Sequence, residues 1–185
     1  MGEYHIGVLS EMRATELVGI VDSNQERAKT ISKRHNVPCY SDYKDIIPKV
    51  DVVIIAVPTS LHYPIGKEFL KAGVHTLLEK PCTDDLDQAR ELFELAEKTN
   101  ITLHVGHVER FNGAVQELFK IVKDPIYLEC RRMSPFTTRV KDDGVVLDVM
   151  IHDIDIVLSL IKSNVTNVNV IGSSVFSGRD DLINA

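Results

Sequence analysis

The sequence predicts an α/β fold. A doubly wound parallel sheet is expected over residues 1–110, and the start of an α+β domain over 111–185. Three observations point there. Short β-branched runs alternate with helical periods through the first two-thirds of the chain, the pattern of parallel strands joined by crossover helices. Polar and charged residues gather where those runs end, and open α/β sheets bind ligands at the carboxyl ends of their strands. After about Lys123 the alternation gives way to strand, loop, helix and strand, without tight alternation.

The elements follow in order. Residues 3–12 read as a helix behind Gly2. The run 16–22 (ELVGIVD) is a strand ending in an acid, and 24–35 is a polar, Arg/Lys-rich helix. The continuous run 51–57 (DVVIIAV) marks a strand buried on both faces. A helix over 62–72 stops at Gly73. Next comes a strand over 74–79. Thr83-Asp84-Asp85 offers caps and negative charge to a helix reaching about Lys98, and 101–105 is a further strand. Beyond it, 125–133 reads as a strand with alternating faces, 134–143 as a loop, 144–161 as a helix and 165–176 as a strand. A last strand starts at the C-terminal end.

Both ends look cut. A doubly wound nucleotide fold begins with an apolar strand and a glycine turn, whereas this chain begins at the helix. Gly2 and Asp22 have the ~20-residue separation expected between a phosphate-loop glycine and an acid that grips ribose. Met1-Gly2 therefore reads as the tail of a G-x-G-x-x-G loop whose first two glycines are absent. The alternative is a small fold that simply starts with a helix.

Composition narrows the class. The 185 residues, 44% hydrophobic, suffice for one domain with a full core or for one and a half smaller ones. A net charge of −6 carries no basic nucleic-acid footprint. No apolar run approaches the ~20 residues of a membrane span, and Met1-Gly2-Glu3-Tyr4-His5 has no signal-like character. Cys39, Cys82 and Cys130 are odd in number and far apart, which fits a reducing cytoplasm rather than a disulfide framework. Cys82 lies close to Lys80 but has no placed partner, so a bystander thiol is expected.

Residues that could carry chemistry cluster at strand ends. In Leu77-Leu78-Glu79-Lys80-Pro81 an apolar strand runs into a carboxylate, a lysine and a proline. The proline restricts its own φ and the residue before it, so the ammonium sits on a stiff turn. An ordinary strand-ending turn is the competing reading. Asp22, followed by Ser23 and Asn24, can accept from ribose hydroxyls and would repel a 2′-phosphate, or it can cap the next helix. Arg27 lies near enough to blur that preference. Val57-Pro58-Thr59-Ser60-Leu61-His62 again gathers rigid and polar groups at a strand end, with helix capping as the alternative.

In Asp148-Val149-Met150-Ile151-His152-Asp153-Ile154-Asp155, a helix would place Asp148, His152 and Asp155 in one line. Beside it runs an apolar stripe of Leu147, Ile151, Ile154, Leu158 and Ile161. A carboxylate that orients a histidine is the usual support for a general base. A solvated face, a structural histidine and a metal site compete. His107, Arg110 and Asn112 follow the strand at 101–105, where an arginine could hold a phosphate or sugar hydroxyl; a Glu109 salt bridge and a helix start at Asn112 are the alternatives.

Together these residues resemble the Gfo/Idh/MocA oxidoreductases, which include glucose–fructose oxidoreductase and inositol dehydrogenase. The resemblance rests on five motifs in register. They are the strand ending in Asp22, Val-Pro-Thr-x-x-His-Tyr at 57–63, Glu79-Lys80-Pro81, Gly106 to Asn112, and Asp148-x-x-x-His152. It implies a Rossmann domain followed by an α/β domain with a large, mostly antiparallel sheet that commonly mediates dimers or tetramers. It also implies hydride transfer between a nicotinamide cofactor, for which Asp22 favours NAD over NADP, and a secondary hydroxyl of a sugar, cyclitol or nucleotide sugar. Carried over, the catalytic residues are Lys80, Asp148 and His152. Cofactor contacts fall to Gly2, Asp22, Ser23, Val57, Pro58, Thr59, His62, Glu79, Lys80 and Pro81. Substrate contacts fall to His107, Arg110, Asn112 and Asp155, and no metal is expected. The stretch 106–112 looks most like members acting on the 3-hydroxyl of UDP-N-acetylated sugars. Family members are commonly much longer, and Gly113 stands where relatives often have proline. The first strand, which would lie at the sheet centre, is absent, so this polypeptide alone is expected to bind NAD poorly. A nucleotide-sensing regulator or an inactive fragment on the same fold is the alternative class.

Overall fold

The computed structural model describes residues 1–135 and 144–185. Most of the predicted loop at 134–143 lies outside the described residues. The chain divides into two compact units, Met1–Gly106 and His107–Ala185, a division slightly before the 110/111 boundary read from the sequence.

In the first unit, helix α1 (Gly2–Glu11) precedes β1 (Ile20–Val21), α2 (Gln25–His35) and β2 (Cys39–Tyr40). Then come β3 (Val52–Ile55), α3 (His62–Lys71), β4 (His75–Leu78), α4 (Leu86–Thr99) and β5 (Leu103–Val105). Strands β3, β4 and β5 form a parallel sheet in sequence order, with Ile55 opposite Leu78 and Leu78 opposite Val105. This is the crossover pattern expected from the alternation of runs. The sheet and its helices share a core of Ile46, Ile55, Phe69, Leu70, Val74, Leu78, Leu92 and Ala96. Full burial of side chains such as Phe69, Leu70 and Leu78 is worth about 1.5–3 kcal/mol each.

Helix ends follow local chemistry. Asn24 accepts the Arg27 N–H at 3.0 Å to start α2, and Asp85 accepts the Gln88 N–H at 2.8 Å to start α4. Both helices end on left-handed asparagines, Asn36 at φ 52° and Asn100 at φ 56°. Helix α3 follows a 3₁₀ turn at Thr59–Leu61, and Leu61, at its N-cap position, makes no side-chain capping bond. Gly66 lies buried inside α3, and a Cβ there would sit in ordinary contact with Leu78, 3.5 Å from its nearest atom. Gly66→Ala is therefore expected to stabilise the fold by about 0.5–1 kcal/mol through helix propensity, read as a raised midpoint in chemical denaturation.

The strand expected over 16–22 contracts to Ile20–Val21, which pairs in parallel with β2, a strand not expected from the sequence. Gly19 permits the approach, since a Cβ there would fall 2.5 Å from the Tyr40 ring. Among the described residues no ladder joins β1 to β3, and the sheet stands as two pieces. The break falls where the resemblance places a central strand.

The second unit holds a 3₁₀ turn at Val108–Phe111 and α5 (Gly113–Ile121). A π turn at Val146–Met150 runs into α6 (Ile151–Leu160), and β6 (Ile171–Ser173) pairs antiparallel with β7 (Leu182–Asn184). The segment 125–133 is not a strand; no neighbour lies alongside it to complete a ladder among the described residues. The strand expected over 165–176 is reduced to β6. The continuous helix expected over 144–161 is instead widened at its start by the π turn, a feature often found at functional sites. The expected apolar stripe is also corrected: α6 buries Asp155 and Ile156, while Ile154 and Leu158 are exposed.

Candidate active site

The carboxyl end of β4 carries Glu79-Lys80-Pro81. The parallel ladder puts this turn beside the ends of β3 and β5, because Glu79 N–H donates to Ile55 O at 2.9 Å and Gly106 N–H to Leu78 O at 2.7 Å. Glu79 is only 5% exposed, and Pro81 is buried, whereas Lys80 between them is half-buried. The Lys80–Pro81 peptide is cis. Glu79 Oε1 lies 2.6 Å from His5 Nε2 on α1, and Glu79 Oε2 accepts the Lys80 N–H at 3.3 Å. Gly106 seals this carboxylate, as a Cβ there would stand 3.1 Å from Oε2 and 3.3 Å from Leu78 O.

His62, the first residue of α3, is 1% exposed. Its Nδ1 lies 2.8 Å from the Pro81 carbonyl oxygen and its Nε2 3.0 Å from the Val57 carbonyl oxygen. Both nitrogens thus face backbone acceptors, and the ring links the turn after β3 to the turn after β4. Glu79 and His62 are enclosed by protein, and their side-chain polar atoms are engaged by other protein groups. Val57 is half-buried and Pro58 exposed where β3 ends. Gly2 opens α1 beside Ala56, with a Cβ position 4.0 Å from the Ala56 Cβ, so α1 begins close to the β3 end. Cys82 is half-buried, and burial pushes its thiol up, away from a reactive thiolate.

Asp22 follows β1. Its Oδ1 accepts from the Asn24 N–H at 2.8 Å and Arg27 Nη2 at 2.8 Å, and its Oδ2 accepts from Arg27 Nε at 2.7 Å. The Arg27 hydrogen bonds hold this carboxyl below the usual aspartate range, against a burial effect of opposite sign. Asn24 rather than Asp22 caps α2, and Ser23 lies exposed in the turn. A carboxylate offers about four lone-pair positions. Three are engaged, so a ribose hydroxyl would take the last or displace the exposed Arg27. The residues therefore fit an adenosine ribose at this strand end, with a guanidinium standing by.

The second unit gathers its own polar cluster. Asp155, 9% exposed, accepts from Arg110 Nε at 2.7 Å and Arg110 Nη2 at 2.5 Å, a two-pronged pair. His107 Nδ1 lies 3.9 Å from Asp155 Oδ1. Burial works to raise the Asp155 carboxyl, but the Arg110 bonds and the charges of His107, Arg110 and His152 outweigh it and hold the carboxyl below its ordinary value. His152 Nδ1 is shielded from solvent on α6, and Asp148 lies in the π turn before it. Asp153 pairs with Arg132 at 2.9 Å, so this side of α6 is not simply solvated. Asn112 accepts the Ala114 N–H at 3.0 Å and so serves as the cap of α5. Among the described residues no group of His, Cys, Asp or Glu side chains is arranged to hold a metal ion.

Two residues and one pairing were missed from sequence: His5, Arg132 and the bond between Arg110 and Asp155. His5 stands three positions after Gly2, and that spacing within the first helical turn was the available signal. Arg132 and the Arg110 pairing had none, because their partners are 21 and 45 residues away.

A parallel sheet with a carboxylate after β1, a glycine opening α1 and a lysine after β4 defines a dinucleotide-binding class. The chain belongs to the Gfo/Idh/MocA oxidoreductase family with an NAD-binding Rossmann fold, whose model matches residues 1–107. It is 32% identical over 186 residues to the UDP-N-acetylglucosamine 3-dehydrogenase of Acidithiobacillus ferrooxidans, covering 100% of this chain and 59% of that protein. The solved structure of that enzyme, GnnA, superposes with a TM-score of 0.93 at 32% identity, covering 99% of this chain and 60% of the other. The scyllo-inositol 2-dehydrogenase (NAD(+)) of Bacillus subtilis is 26% identical over 182 residues, 91% of this chain and 53% of that enzyme. The chain thus spans little more than half the length of these relatives. No helix of the described residues is long and apolar enough to cross a membrane.

Proposed function

We propose that the protein is a dehydrogenase that transfers a hydride between NAD and a secondary hydroxyl-bearing carbon of a nucleotide sugar. The 3-hydroxyl of a UDP-N-acetylated sugar is the favoured position. The observation that carries this reading is the mounting of Lys80 on the rigid, inward-bonded turn after β4. The likeness to a UDP-N-acetylglucosamine 3-dehydrogenase over the whole chain supports the substrate class. When bound, the nicotinamide accepts the hydride at C4. Oxidation of the alcohol also releases a proton. Lys80 places positive charge where the alkoxide develops, and His152, oriented by Asp148, takes the hydroxyl proton. Gly2, Val57, Pro58 and Thr59 would border the cofactor, and His107 the substrate.

NAD is favoured over NADP because Asp22 would face a 2′-phosphate with like charge. Asp22→Ala removes that charge and releases Arg27. The ratio of NADPH to NADH dissociation constants is then expected to move toward NADPH by at least about tenfold, the worth of one charge-assisted hydrogen bond. Fluorescence titration with both cofactors checks it. Free thiols at Cys39, Cys82 and Cys130 suit a reducing cytoplasm. Exposed Ile171 and Val170 suit a homo-oligomer joined through the second unit. The test of the main reading is NADH formation by the full-length polypeptide with NAD and UDP-N-acetylglucosamine. No NADH from that sugar, from other nucleotide sugars or from cyclitols would overturn it.

A further inference from the structure

We propose that Glu79 and His62, with His5 behind Glu79, are positioning residues that fix Lys80 from both sides and do not touch the cofactor. Three consecutive residues are treated differently by the fold. Glu79 and Pro81 are buried, and each is tied to a separate element. The Glu79 carboxylate meets His5 Nε2 of α1 at 2.6 Å and the Lys80 N–H at 3.3 Å. The Pro81 carbonyl meets His62 Nδ1 of α3 at 2.8 Å. The residue on each side of Lys80 is thus bonded to a different helix, Glu79 through its carboxylate and Pro81 through its carbonyl, and only Lys80 is left half-buried.

Chemistry supports bracing over ligation. A carboxylate this enclosed must have its hydrogen bonds supplied by protein, and His5, the Lys80 amide and the close wall of Gly106 surround it. His62 has both nitrogens on carbonyl oxygens, those of Pro81 and Val57. A neutral ring donates to one of them and a doubly protonated ring to both; in neither state is a nitrogen left for a ligand. The same ring also holds the turn after β3 and the turn after β4 together. His5 connects the brace to the first turns of α1, whose start is the expected pyrophosphate end. The inference rests on the dehydrogenase reading only in its rate measurement.

The test uses the full-length polypeptide and the variants Glu79→Gln, Glu79→Asp, His5→Gln and His62→Gln. His5 is partly exposed, so His5→Gln keeps the test open if the buried variants do not fold. The readouts are the NADH dissociation constant, kcat, and the rate of trace acetylation of Lys80 followed by mass spectrometry. Bracing predicts a dissociation constant within about threefold of wild type, an altered Lys80 acetylation rate, and kcat lower by about 10- to 100-fold, the penalty of a misplaced group. Glu79→Asp should recover part of it. Two results overturn the proposal. One is NADH binding weakened tenfold or more with Lys80 acetylation unchanged, which makes these residues cofactor ligands. The other is lowered stability with acetylation and kcat unchanged, which makes them merely structural. If wild type shows no dehydrogenase activity, the acetylation rates still decide the question.

Discussion

Lys80→Met is expected to lower kcat by about 10³-fold while leaving the NADH dissociation constant nearly unchanged. Methionine retains most of the side-chain length and removes the charge. The turn is held by the buried Glu79 and by the Pro81 carbonyl bonded to His62, so the backbone should stay in place. What is lost is positive charge at the developing alkoxide, a contribution made mainly in the transition state. A fall in kcat without a change in cofactor affinity is the signature of such a group. Steady-state rates at saturating NAD and nucleotide sugar provide the measurement. An unchanged rate would favour a nucleotide-binding regulator in which the lysine has no chemical task.

Arg110→Met is expected to be the most destabilising single change in the second unit, by about 2–3 kcal/mol. The figure is below that of a fully buried pair because the guanidinium is half-exposed. The replacement strands the buried Asp155 carboxylate, leaving it without its two guanidinium bonds and with His107 at 3.9 Å. The double variant Arg110→Met with Asp155→Leu should recover much of the loss, since an apolar pair leaves no charge unpaired. Hydrogen exchange along Ile151–Leu160 would report the difference locally. The pH dependence follows from the depressed Asp155 carboxyl. Its contribution is complete above the unfolded aspartate value of about 3.9 and is lost as pH falls through the lower folded value. In Arg110→Met that acid-side loss should be smaller, because less of the depression remains to be lost.

The strands and helices of the first unit could be read from sequence because each is specified locally. The run 51–57 announced a strand, although β3 lies at a sheet edge with only Ile55 buried rather than buried on both faces as expected, and Asn24, Asp85 and Gly73 punctuate helices by their own side chains or backbone freedom. Strand β2 escaped because Cys39–Tyr40 is too short to show a period and exists through pairing with β1. The second unit was harder to read. Its alternation over 125–133 needs a neighbouring strand to become a ladder, and pattern alone cannot supply one. The burial of Asp155 in place of Ile154 was decided by Arg110, far away in sequence. At the site, residue types at strand ends announced where chemistry could occur. They did not announce which side chains face inward, because the burial of Glu79 and His62 depends on Gly106, His5 and two carbonyl groups contributed by other elements.

The split in the parallel sheet bears on how this polypeptide behaves in a test tube. One five-stranded sheet has two open borders, whereas a two-stranded and a three-stranded piece have twice as many. The border of β3 belongs to Val52-Val53-Ile54-Ile55, an uncharged β-branched stretch whose first residue is 59% exposed. Such a border recruits any extended chain of similar character, including another copy of itself. Self-association at high concentration is thus expected to start at β3 rather than at β4, which is paired on both sides. A charged substitution at Val52 should suppress it before any change elsewhere does.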